Sequence, residues 1–161
     1  MDHLHLTLAD VGLRLALALA CGAVIGLNRD LHHKGAGLRT FGLVALGTAG
    51  LSLAPQLAFA MPDDNVGRVI QGVLTGIGFV GAGVILRRSD SGRVTGLTTA
   101  AAIWYVAGLA VLCGLGQFAL VAITLGLGFA LLLFGGHLER LVERIFGKAR
   151  DSKPADEGGP E

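Results

Sequence analysis

A chain of 161 residues in which 52% are hydrophobic and only 16% charged is too poor in charge for an ordinary soluble domain, where about a quarter of positions carry one. A net charge of +1 is uninformative by itself, because the distribution of the charges carries the signal; nucleic acid is not expected as a partner. Two cysteines without a C-x-x-C or a His/Cys cluster give neither a disulfide framework nor a zinc site.

The charges are also unevenly placed. Five blocks, Val11–Leu27, Phe41–Ala60, Val69–Leu86, Leu97–Leu115 and Phe118–Phe134, contain Arg14 as their sole Lys, Arg, Asp or Glu. Each approaches the ~20 residues that cross a hydrocarbon core of about 30 Å. None keeps the polar stripe that a helix of a soluble protein shows over such a length. The expected fold is therefore all-α, a polytopic membrane protein with about five transmembrane helices.

The amino-terminal segment 1–10 has acids but no Lys or Arg, so it lacks the basic region of a signal peptide. The first block is then a retained helix. Its Arg14 lies close to the block's outer end, where it can snorkel outward and pair with Asp10 one turn earlier; pairing with another helix is the alternative. The first connection carries Arg29, Lys34 and Arg39, the third Arg87, Arg88 and Arg93, and the tail Arg140, Arg144, Lys148, Arg150 and Lys153. These eleven basic residues fall on one side of a five-helix topology. The second connection has Arg68 alone, and the fourth has none. The positive-inside rule then places the amino terminus outside and the carboxyl terminus in the cytosol.

The third block holds Gly72, Gly76, Gly78, Gly81 and Gly83. The pair Gly72 and Gly76 has the GxxxG spacing that lets another helix backbone approach closely, which suits a packing partner or a homodimer. GIGFVG also matches G-x-G-x-x-G, but no βαβ unit surrounds it and no acid follows about 20 residues on, so the dinucleotide reading is rejected. A helix break lining a mid-membrane site is the sharper alternative to close packing. In the fourth block Thr98 and Thr99 place hydroxyls near the cytosolic end, where bonding to the i−4 carbonyl is the ordinary outcome. Trp104 and Tyr105 lie near mid-helix rather than in an interfacial belt and are expected to face other helices. After Gly135–Gly136, Leu138, Leu141, Val142, Ile145 and Phe146 recur at helical spacing. Residues 136–150 are read as an amphipathic helix on the cytosolic leaflet or docked on the protein's own loops. Residues 151–161 are too polar to bury anything and are expected to be disordered.

His32 and His33 adjoin in the first loop without a third ligand at metal spacing. No nucleophile elbow, Walker motif or metalloprotease helix occurs. No metal, cofactor or enzymatic activity is expected.

Several motifs in order, GLNRD (Gly26–Asp30), AGLRT (Ala36–Thr40), GIGFVGAGVI (Gly76–Ile85), GLTTAAAIW (Gly96–Trp104) and LCGLG (Leu112–Gly116), resemble the MgtC/SapB family over residues 11–135. The resemblance implies a multi-pass protein of the bacterial inner membrane, in contact with membrane lipids. It also implies a link to magnesium homeostasis and growth in low magnesium or under envelope stress and, in pathogens, to virulence. The implied mode of action is regulatory contact with other membrane proteins, among them ATP synthase or a magnesium transporter; the alternative is an ion transporter or channel for Mg2+. It carries Arg29, Asp30, Arg39, Thr40, Asp64, Arg68, Gln71, Thr98, Thr99 and Trp104 over as candidate functional positions. Where the family often has Glu, this chain has Asn28, and the soluble carboxyl-terminal domain of many members has no counterpart here.

Overall fold

The computed structural model describes residues 6–57, 64–87 and 94–147. Helix α1 spans Leu8–Leu31, α2 Leu38–Leu57 and α3 Asp64–Val84. A short ribbon of β1 (Leu86–Arg87) and β2 (Val94–Thr95) leads to α4 (Leu97–Gly114), and α5 runs Phe118–Gly147. Each of the five helices contains a stretch long and apolar enough to cross a membrane. The all-α expectation holds but for the ribbon, an antiparallel pairing of Leu86 with Thr95 and Arg87 with Val94, too short for sequence periodicity to announce.

Chain contacts divide the protein after Leu125. In the first unit α4 is the central helix, packed against α1, α2 and α3. Ile103, Val106, Leu109 and Cys113 of α4 are fully buried together with Ile25 of α1 and Phe41 and Leu53 of α2. Cys21 and Cys113 are both buried and free. The second unit, from Gly126, contains the rest of α5. That helix continues unbroken through Gly135–Gly136 to Gly147. At 1.5 Å per residue its 30 residues extend about 45 Å. Leu138 and Ile145 are exposed on its last turns, and Arg140 folds back so that Nε donates to the Gly136 carbonyl at 3.0 Å. Residues 148–161 lie outside the described part, and the expected disordered tail with them.

Helix ends depart from the apolar blocks because caps, not apolar length, set them. Helix α1 begins at Leu8 because Thr7 and Asp10 form a reciprocal capping box, which satisfies backbone donors that the first turn leaves free. The Asp10 carboxylate accepts from the Thr7 backbone N–H at 3.0 Å and from its hydroxyl at 2.7 Å. The expected pairing of Asp10 with Arg14 does not form, since the carboxylate is taken up by the cap.

The close helix approach lies elsewhere than the glycine count of α3 suggests. A Cβ on Gly72, Gly76, Gly78 or Gly83 would meet nothing within 4 Å, and one on Gly81 would make only ordinary contact with Ala100, at 3.6 Å. Within this chain those glycines are not a packing seam. The seam is between α1 and α2, where a Cβ on Gly22 would stand 2.7 Å from the Phe41 carbonyl oxygen and one on Gly26 2.7 Å from Leu38 Cα. Gly114 on α4 is equally tight, its Cβ position 2.8 Å from both the Ala49 carbonyl oxygen and Ser52 Cβ.

Candidate functional site

Close contact at Gly22 and Gly26 brings the end of α1 against the start of α2, and this joins the candidate residues of the first loop. Asp30 Oδ2 accepts from the Leu38 backbone N–H at 2.8 Å, so a carboxylate from α1 caps α2 where the helix dipole is positive. A Cβ on Gly37 would stand 1.6 Å from Asp30 Oδ1, which accounts for glycine there. The chain turns between the helices with His33 at φ 50. The Lys34 N–H donates to the Arg29 carbonyl at 3.1 Å, and His32 Nδ1 lies 2.7 Å from the Asn28 carbonyl oxygen. Arg39 and Thr40, on the first turn of α2, are exposed.

Arg29 points inward. It is 4% exposed, and Nη2 donates to the Thr99 hydroxyl in the first turn of α4. Its Nε is buried without any hydrogen-bond partner. Thr99 therefore does not follow the usual pattern of bonding its own helix; its hydroxyl serves a residue 70 positions away. Thr98 beside it is exposed. Helix α4 opens at Gly96, which is held at φ 92 and gives no side-chain cap. A side chain at Gly96 would collide with the Val84 carbonyl, 2.2 Å from its Cβ position.

At the opposite end of α1 sits a second arginine that apolar patterning treats as an interfacial anchor. Arg14 is half-buried, and Nη1 donates to the Gly114 carbonyl at 2.8 Å and to Gln56 Oε1 at 3.0 Å. Gln56 Nε2 donates in turn to Gly114 at 3.0 Å and to Ser52 at 2.9 Å. Arg14 thus joins α1, α2 and the carbonyl end of α4, where a cation is favoured.

The remaining candidates are not gathered with Arg29. Arg68 and Gln71 are exposed on the first turns of α3; the Asp64 side chain, and with it the expected Asp64–Arg68 pair, lies outside the described residues. Trp104 is 52% exposed rather than packed among the helices of this chain, because the α4 face it occupies points away from the core. Its neighbour Tyr105 does turn inward, its hydroxyl donating to the Thr124 carbonyl. An open groove of ≈ 650 Å³ runs between α2 and α3, lined by Leu43, Gly47 and Leu51 on one side and Gly72, Val73 and Gly76 on the other. Among the described residues no group of three or more His, Cys, Asp or Glu could hold a metal ion.

Sequence reasoning singled out Arg29 and Thr99 separately but missed the bond between them, and for Arg14 it is the alternative, pairing with another helix, that the structure shows. It also passed over Gly22 and Gly26, although their spacing is the same as that of Gly72 and Gly76.

Helices of this length and composition, packed around an apolar α4, define an all-α, multi-pass membrane protein. Residues 15–141 match the MgtC family. The chain is 45% identical to Protein SrpB of Synechococcus elongatus over 89% of its own length and 87% of that protein's. It is 46% identical to Protein MgtC of Salmonella typhimurium over 66% of its length, which is 44% of the relative. To the putative magnesium transporter YhiD of Escherichia coli K12 it is 43% identical, over 70% of this chain and 54% of the relative. It thus spans most of SrpB but about half of MgtC and YhiD. No solved structure matches it. The chain belongs to the MgtC family.

Proposed function

We propose that this protein sits in the bacterial inner membrane with its amino terminus outside and its carboxyl terminus in the cytosol, and serves magnesium homeostasis or envelope stress by contact with other membrane proteins. The observation that carries this reading is Gln71. It lies within the apolar span Val66–Val84, its side chain is exposed, and its amide makes no hydrogen bond among the described residues. An amide facing hydrocarbon without a partner is costly, whereas polar side chains that bond across helices hold membrane proteins together. Gly72 and Gly76 beside it leave room for the backbone of a helix from another protein. Of the α3 residues whose burial is described only Gly81, which has no side chain, is buried.

A second reading, magnesium transport, is favoured by the name of the E. coli relative. Physical chemistry argues against it. Magnesium needs oxygen ligands, usually carboxylates. The acids of the helices, Asp10, Asp30, Asp64, Glu139 and Glu143, stand in first turns or near last turns.

Reconstitution into liposomes with an entrapped magnesium-sensitive dye separates the two. The expected result is no flux above empty vesicles, together with co-purification of a membrane protein from native membranes in low magnesium that Gln71→Leu and Gly76→Leu both weaken. Saturable flux lost in Gln71→Leu or Asp64→Asn overturns the contact reading. Reporters inserted at Asp63–Asp64 and fused after Lys148 test the orientation; a cytosolic signal from the first and a periplasmic one from the second reverses it.

A further inference from the structure

Two helices begin at the Arg29 end of the first unit, and they are provided for differently. The start of α2 has a negative group, the Asp30 carboxylate, on its Leu38 N–H. The start of α4 has none among the described residues: its N-cap, Gly96, makes no side-chain hydrogen bond to the first turn. The N–H groups of Leu97, Thr98 and Thr99 therefore have no intrahelical acceptor, at the positive end of an 18-residue helix dipole.

The side chain brought to this positive end is another positive group. The Arg29 guanidinium bonds Thr99 through Nη2 and buries Nε unsatisfied. A buried cation ordinarily has an acid beside it. Arg29 has none among the described residues, since the adjacent Asp30 is already bound to Leu38. The carbonyl end of α1 offsets part of the charge, because Arg29 is in its last turn, but carbonyls do not satisfy Nε. Both features call for the same thing, an oxyanion. Thr99 Oγ1 accepts from Arg29 and keeps its own hydrogen to donate. Thr98 is exposed, so the first turn can be reached from outside.

We propose that Arg29 and the uncapped first turn of α4, Leu97–Thr99, form a binding site for a phosphate group. Helix N–H groups with an arginine are the donor set that tetrahedral oxyanions take. The site's level selects phosphate over other anions. Arg29 is near the last residue of the α1 span and Thr99 near the first of the α4 span, at the depth where a bilayer presents phospholipid headgroups. The same donors would accept free phosphate from the aqueous side.

Melting of the full-length protein tests this. In detergent, titration with inorganic phosphate, at ionic strength matched by chloride, is expected to raise the melting temperature if free phosphate is the ligand. In nanodiscs, phosphatidylglycerol is expected to raise it relative to a phosphate-free galactolipid if the ligand is a headgroup. In either arm Arg29→Met should remove the effect, and Thr99→Val should weaken apparent affinity roughly tenfold, the equivalent of one lost charge-assisted bond. Arg39→Gln, a change of exposed charge on the same loop, should leave it intact. Melting of Arg29→Met without phosphate reports whether that variant folds, and Thr99→Val carries the test if it does not. Stabilisation that survives in Arg29→Met, or no response to phosphate in either arm, overturns the proposal.

Discussion

Arg14 and Arg29 stand near the two ends of α1, and both reach across to α4. Arg14 meets the carbonyl end of α4, where Gly114 and Gln56 accept from it, so its charge opposes a negative dipole end and its donors have acceptors. Arg29 meets the amino end, where its charge adds to a positive one, and Nε has nothing to bond. The same residue type on the same helix is thus a structural tie at one end and, among the described residues, a buried charge without an acidic partner at the other. Burial alone would rank Arg29 as the more structural, since it is the more buried. Partner polarity reverses that ranking. A buried charge without an acidic partner among the described residues lowers stability, which makes Arg29 the better candidate for a role outside folding.

Five substitutions sharpen the contrast, all read as melting in one detergent without added phosphate. The largest effect is expected of Gly26→Leu, which forces a side chain into the Leu38 backbone and lifts α2 off the end of α1. Overpacking of this kind costs roughly 1–3 kcal/mol, and contact with backbone rather than a movable side chain puts it toward the top of that range. Gly78→Leu, on the open face of α3, should leave melting nearly unchanged; an equal loss at both positions would mean that the seam is not where close approach matters. Next, Arg14→Met should destabilise by about 2 kcal/mol, the scale of a hydrogen bond from a charged group. Arg29→Met should be neutral or stabilise by up to about 1 kcal/mol, because it removes a buried donor without a partner. A loss at Arg29 as large as at Arg14 would erase the distinction drawn here. The smallest loss among residues in contact is expected of Asp30→Asn, which keeps an acceptor for Leu38 but loses the charge, at a cost of a few tenths of a kcal/mol.

The five helices are legible in the sequence because apolar length is a local property, and each of the five blocks overlaps one of α1 to α5. Their ends are less so. The start of α1 depends on Thr7 and Asp10, a cap signature that is readable but lies in a polar segment where an apolar block cannot show it. The candidate site is legible by residue and not by arrangement. Arg29, Asp30 and Thr99 stand out in motifs, yet that Asp30 closes onto Leu38 while Arg29 crosses to Thr99 depends on how α1, α2 and α4 meet, which no spacing encodes. Glycine shows the limit most clearly. Gly22 and Gly26 have the same interval as Gly72 and Gly76, but only the first pair is in close contact with a neighbouring helix among the described residues. Trp104 fails for the same reason, since depth along a helix does not tell which way a side chain faces.

Arg14 also sets a constraint on the order of events. Its Gly114 acceptor lies 100 residues later in the chain, and Gln56 arrives only with the end of α2. While the protein is being made, the first helix must enter the bilayer with a guanidinium whose acceptors have not yet been synthesised. Insertion scales put a central arginine at about 2.5–3.5 kcal/mol, less where the side chain can reach the interface. That cost is reduced for Arg14, close to the start of α1, and a nascent chain stopped before Gly114 has only the Gln56 half of the tie. The tie that closes the bundle is in this sense a timing device: one hydrogen bond makes the earliest segment of the protein depend on one of the later ones.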